Sequence, residues 1–196
     1  MESTAQRQLT RLRSEDAFEI CRYFEPTSAI QSFLTPNITS SLLIHSLTNN
    51  HHWFDAANVI AHSLQIRASL WWACLICRDH VAYASDPSSL NALIVMIEDW
   101  VKEPSEETRL AVFHRANLLG NRSPGYWAGM ATFWSMGNIT PGSGIETPPP
   151  PYMYAKGVAA CIDLAASLAI SERESFYRHS LARGIDLAAG GNGLMT

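Results

Sequence analysis

An all-α fold is predicted, a single domain built as a multi-helix bundle of about eight helices or as stacked helical hairpins. Three observations predict it. Apolar residues recur at helical spacing, as in Trp53, Ala56, Ala57, Ile60, Ala61 and Leu64. Breaks at Pro26, Pro36, Asn49-Asn50, Pro104 and Gly120 punctuate the chain closely enough for short turns. Alternating strands joined by hairpin turns do not occur.

Residues 1–13 read as a frayed polar lead, and residues 14–190 as the helical domain. Ser14, Glu15 and Asp16 open the first helix with acidic residues at its positive end, and Pro26 closes it. A short segment over Ala29–Leu34 stops at Pro36. Thr39, Ser40 and Ser41 cap a helix from Leu42 to Leu47, and the Trp53–Leu64 stripe follows. Ala68–Tyr83 is apolar all round over Leu70–Cys77, as in a helix enclosed by other helices. A buried strand fits the same run, and its Ala and Leu content favours helix. Asp86-Pro87-Ser88-Ser89 caps the stripe of Leu90, Leu93, Ile94, Ile97 and Val101. Ser105-Glu106-Glu107-Thr108 opens a helix carrying Leu110, Val112, Phe113, Ala116 and Leu119. Ser123-Pro124-Gly125 opens the next, with Trp127 and Trp134 on one face. A Pro/Gly-rich loop at 137–151 then interrupts, long enough to be either functional or mobile. Tyr152–Ile170 resumes, and its small residues Gly157, Ala159 and Ala160 allow close helix approach. Ser171-Glu172-Arg173-Glu174 reads as a capping box for the last helix, and residues 191–196 as a tail.

Composition removes several function classes. The chain has 196 residues, 16% of them charged, and a net charge of −4. No basic surplus exists to neutralise a phosphate backbone, so no nucleic-acid partner is expected. The longest uninterrupted apolar run, Leu70–Cys77, is too short to span a membrane, and no signal-peptide core follows Arg7, Arg11 and Arg13. Four cysteines are too few for a disulfide scaffold. A cytoplasmic protein with reduced thiols is expected, in which the sequons at Asn37 and Asn138 carry no meaning.

The chemistry-bearing motifs are weak. Cys74-Leu75-Ile76-Cys77 has redox or metal spacing, yet no second pair exists, so both read as small buried hydrophobes. His51, His52 and Asp55 form an H-H-x-x-D cluster, with His62 further on, and a small metal-binding protein or enzyme is the alternative reading they support. Asp55 reads equally well as a first-turn residue favoured by the helix dipole. Arg78-Asp79-His80 and His114-Arg115 read as helix-end charges. No nucleophile elbow or phosphate-cradling loop occurs. No catalytic, metal or cofactor-binding residue is therefore assigned, and no cofactor. The protein-binding candidates are Tyr126, Trp127, Trp134, Pro148, Pro149, Pro150, Pro151 and Tyr152, because aromatics dominate binding hot spots and proline runs dock on them. A homo-oligomer is compatible with this surface. Net acidity also admits an immunity protein that plugs a basic toxin.

Three stretches together resemble a known family. They are Trp53-Phe54-Asp55-Ala56 with Ala61-His62, then Arg67 through Trp71-Trp72-Ala73-Cys74, then Pro124 through Met130 running on to Tyr154-Ala155-Lys156-Gly157. The resemblance is to an uncharacterised family of small bacterial proteins with a Trp-Trp-Ala-Cys core motif, encoded near type VI secretion spike and effector genes. It covers roughly residues 30–190 by eye. It implies no catalytic residues. What it implies is a non-enzymatic accessory or adaptor protein that loads or co-chaperones a secretion effector.

Overall fold

Most breaks in the sequence become helix boundaries in the computed structural model, which describes residues 8–194. Ten α-helices form among those residues: α1 Ala17–Cys21, α2 Ser28–Phe33, α3 Ser40–Asn49, α4 Trp53–Ser63, α5 Ile66–His80, α6 Pro87–Lys102, α7 Glu106–Leu119, α8 Pro124–Phe133, α9 Met153–Leu168 and α10 Arg173–Ala188. Single 3-10 turns follow α5 at Val81–Tyr83 and precede α10 at Ile170–Glu172. No strand forms among the described residues; Leu12–Leu64 and Asp16–Thr39 are isolated bridges. The fold is all-α, as predicted. The helices number ten rather than about eight because α1 and α2, of five and six residues, are separate elements divided at Pro26.

Local chemistry sets most helix starts. Asp16, Thr27, Thr39, Asp86 and Ser105 each accept a backbone N–H from the first turn of the helix they precede. The capping box expected at Ser171–Glu174 does not form. Residues 170–172 tighten into a 3-10 turn, and Glu172 takes the N-cap position with no side-chain capping bond.

The central rod is α5, packed against α6, α8, α9 and α10. Leu70, Trp72, Ala73, Cys74, Ile76 and Cys77 are wholly buried. The buried Trp72 donates its Nε1–H to the Ser180 carbonyl, 2.8 Å. Its neighbour Trp71 turns outward and bonds the Asn192 carbonyl, 2.8 Å. A Cβ on Gly157 would lie 2.8 Å from Ala131 Cβ and 3.0 Å from its backbone, so α8 and α9 meet almost backbone to backbone.

The frayed lead is corrected over residues 8–13. Leu9 is buried, the Arg11 amide donates to the Ala188 carbonyl at 2.8 Å, and the Arg13 amide donates to the Ser63 carbonyl at 2.7 Å. Residues 1–7 of the expected lead lie outside the described residues. The expected tail is also tied down as far as Leu194: Gly193 donates to Asp186 and Leu194 to the Asn192 side chain, while residues 195–196 lie outside the described residues. The 137–151 loop is a folded turn. The Ile139 amide donates to the Thr147 carbonyl, and Asn138 Oδ1 accepts the amides of Thr140 and Thr147.

From α5 onward the chain alternates direction. One pole gathers the end of α5, the start of α6, the end of α7, the start of α8 and the end of α9. The opposite pole carries the folded turn and two arginine clamps. Arg67 donates to the last carbonyls of α6, Val101 and Lys102, and Arg109 donates to the Phe133 carbonyl that ends α8. No single helix among the described residues is long and apolar enough to cross a membrane.

Candidate functional site

The expected protein-binding residues fall into two groups. Tyr126, Trp127 and Trp134 form a half-buried aromatic rib on α8. Trp127 lies edge-on to Tyr126 at 5.2 Å and 6.5 Å from Trp134, and its Nε1–H is engaged by the Asn121 carbonyl. Pro148, Pro149, Pro150 and Pro151 instead lead into α9. Tyr152, at the α9 N-cap, stacks on Tyr23 at 5.2 Å, with the Lys156 ammonium 5.4 Å from its ring. The ring contacts thus pair Tyr152 with the N-terminal segment rather than with the tryptophans.

The reactive-looking motifs are already engaged. Cys74, Cys77 and Cys161 are fully buried, with Cys77 Sγ 3.6 Å from Cys161 Sγ. Burial pushes the Cys74 thiol well up, and a hydrogen bond from Cys77 followed by burial does the same for Cys161. His51, His52 and Asp55 do come together, in an open cleft of about 470 Å³ shared with Arg173, Glu174 and Tyr177. Asp55 accepts from the Thr27 hydroxyl at 2.6 Å, Glu174 pairs with Arg178 at 2.6 Å, and the Tyr177 hydroxyl bonds Asp163. The His51 ring meets Trp53 edge-on, and the His52 ring meets Phe33 in the same way. Among the described residues no three His, Cys, Asp or Glu are grouped to hold a metal ion. Asp79 and His80 point apart: Asp79 forks onto Arg183 at 3.0 Å, while His80 goes inward.

The inward turn of His80 marks a second cleft, of about 380 Å³, at the pole where α5 through α9 meet. Its rim is apolar and open. Leu118 is 78% exposed, Tyr83 43% and Leu168 42%. His80 lies against the cleft with 2% exposure, and its Nδ1 has no hydrogen-bond partner. Burial lowers its pKa, favouring the neutral imidazole. Tyr83 stacks near the His80 ring and donates its hydroxyl to Glu172 at 2.7 Å. Ser123 takes the N-cap position of α8 without making a capping bond. Arg122 is exposed, with no ion pair or hydrogen bond among the described residues. Asp86 also lines the cleft, engaged by the Ser89 amide at 3.0 Å.

Sequence reasoning missed this cleft because five chain segments build it. The available signal was Leu118, which stands outside the Val112, Ala116 and Leu119 stripe of its helix and therefore faces away from the core.

No curated protein and no solved structure matches the chain. A family model does match, over residues 43–188, a span that includes α5 and every segment lining the end cleft. The chain therefore belongs to the family of unknown function DUF6931.

Proposed function

We propose that this is a non-enzymatic accessory protein that binds another protein at the pole of the bundle. The observation that carries the reading is the open apolar rim of Leu118, Tyr83 and Leu168 around the 380 Å³ cleft. Exposed apolar groups gathered at one concave spot gain by being covered, and a partner covers them. The aromatic rib of Tyr126, Trp127 and Trp134 supports the reading less, since it is half-buried and its Trp127 N–H is engaged internally. In its finer form the proposal is a cytoplasmic adaptor of a bacterial type VI secretion system, with an effector or its chaperone as partner. That form rests on the resemblance carried by Trp71-Trp72-Ala73-Cys74 and its flanking stretches.

The test is affinity capture from the native host while effectors are expressed. A stoichiometric second protein is expected with the wild type. Leu118→Asp is expected to lose it while retaining the wild-type Tm, because Leu118 is exposed. Recovery of the wild type as a lone monomer, or retention of the partner by Leu118→Asp, overturns the reading.

A further inference from the structure

Resting on that reading, we infer that the end cleft receives the free C-terminus of a partner polypeptide whose last side chain is apolar. The cleft joins two kinds of surface. Leu118, Leu119 and Leu168 supply apolar walls. Arg122, the Ser123 hydroxyl and the start of α8 supply donors and positive potential. The α8 helix is ten residues long, Ser123 leaves its first turn uncapped, and Pro124 carries no N–H, so Gly125 offers the first amide. Such a helix start favours an anion, and an arginine fork matches a carboxylate.

Two further observations point to a ligand rather than to an idle helix end. His80 is almost completely buried against the cleft, yet its Nδ1 is unpartnered, which buried polar atoms in folded proteins rarely are. Arg122 is left unpaired although Asp86 lines the same cleft. Asp86 faces the α6 amide of Ser89 and the charge of Arg115 instead. A volume of about 380 Å³ lies at the low end of ligand sites and suits one side chain with its terminal carboxylate.

The full chain is titrated with N-acetyl-leucine, which carries the carboxylate, the apolar side chain and the preceding amide. N-acetyl-leucinamide, acetate and octanoate serve as controls. Amide shifts of Gly125 and Ser123 and the His80 ring resonances are followed by NMR. Saturable millimolar binding of N-acetyl-leucine is expected, the range that ligand efficiency gives for so small a molecule. The leucinamide and acetate should bind at least about ten-fold more weakly, and Arg122→Ala should weaken N-acetyl-leucine by about ten-fold. Arg122→Ala should leave Tm unchanged, since the side chain is exposed. Absence of saturable shifts at the cleft, or indifference to Arg122→Ala, overturns the inference. Tighter binding of octanoate overturns it in favour of a free fatty acid. Equal binding of acid and amide overturns the carboxylate while leaving the apolar docking surface standing. Failure of that surface is read separately, from the Leu118→Asp capture experiment.

Discussion

His62 shows how one buried side chain couples this fold to pH. Its Nδ1 bonds the Asn58 carbonyl at 2.9 Å, the Phe24 ring lies 4.6 Å away, and its buried Nε2 has no partner. Burial is the main cause that lowers its pKa to about 4; the Asn58 bond opposes the shift, and the charges of Lys156 and Arg13 add to it. The unfolded chain takes up this proton near pH 6.5 while the native state resists it. Stability is therefore intact above about pH 6.5 and is lost as pH falls toward about 4, by about 3 kcal/mol. Urea unfolding of the wild type should show that loss on top of the carboxylate contributions, and His62→Gln should remove most of it. Arg109 is the complementary case, a fully buried cation. It forks onto Glu106 at 2.7 and 2.6 Å, donates to the carbonyls of Phe133 and Asn138, and lies 4.6 Å over the Phe133 ring. Arg109→Ala should cost about 2–4 kcal/mol in chemical denaturation, because two carbonyls lose a charged donor. Neither role was legible in sequence. His62 looked like part of a polar helix face, and Glu106 like a solvated first-turn acid.

Helix packing here is governed by small residues at crossings. Gly157→Ala would raise helix propensity by about 1 kcal/mol on an exposed surface. Against Ala131 the added methyl meets backbone at 3.0 Å, so a net loss of about 1–3 kcal/mol is expected, visible as a lower Tm. A gain in Tm would show that α8 and α9 are not held at this separation. The small-residue run of α9 was readable as a site of close approach, because such residues have no other packing use in a buried helix. Its partner Ala131 was not readable, since spacing along one helix says nothing about which neighbour crosses it. The α5 run was legible as an enclosed rod, and the Trp71–Trp72 pair does divide between outside and inside. The failed capping box at Ser171 has a local cause. The chain leaves α9 through a 3-10 turn, which uses up the residue that would have capped α10.

Taken whole, the bundle guards its thiols unequally, which gives a test of cooperativity. Cys21 is 5% exposed on the five-residue α1, whereas Cys74, Cys77 and Cys161 are fully enclosed between α5 and its neighbours. Maleimide labelling of native protein should modify Cys21 first, through local opening. The other three should react only as fast as the entire chain unfolds, with four labels in denaturant. Labelling of Cys74 ahead of Cys21 would show that the bundle opens at its centre. The all-α class was legible because helical periodicity repeats in nearly every segment. The cleft was not, because it exists only once five segments have been brought to one pole by alternating chain direction.

The folded turn at the far pole has a practical use. Gly142 and Gly144 have φ of 83° and 74°, with nothing within 4 Å of where a Cβ would sit. The ten-residue α8, about 15 Å long, separates that end from the cleft. A fluorescent domain spliced between Gly142 and Ser143 would leave the docking pole untouched, so energy transfer to a labelled binding partner becomes a live-cell gauge of occupancy.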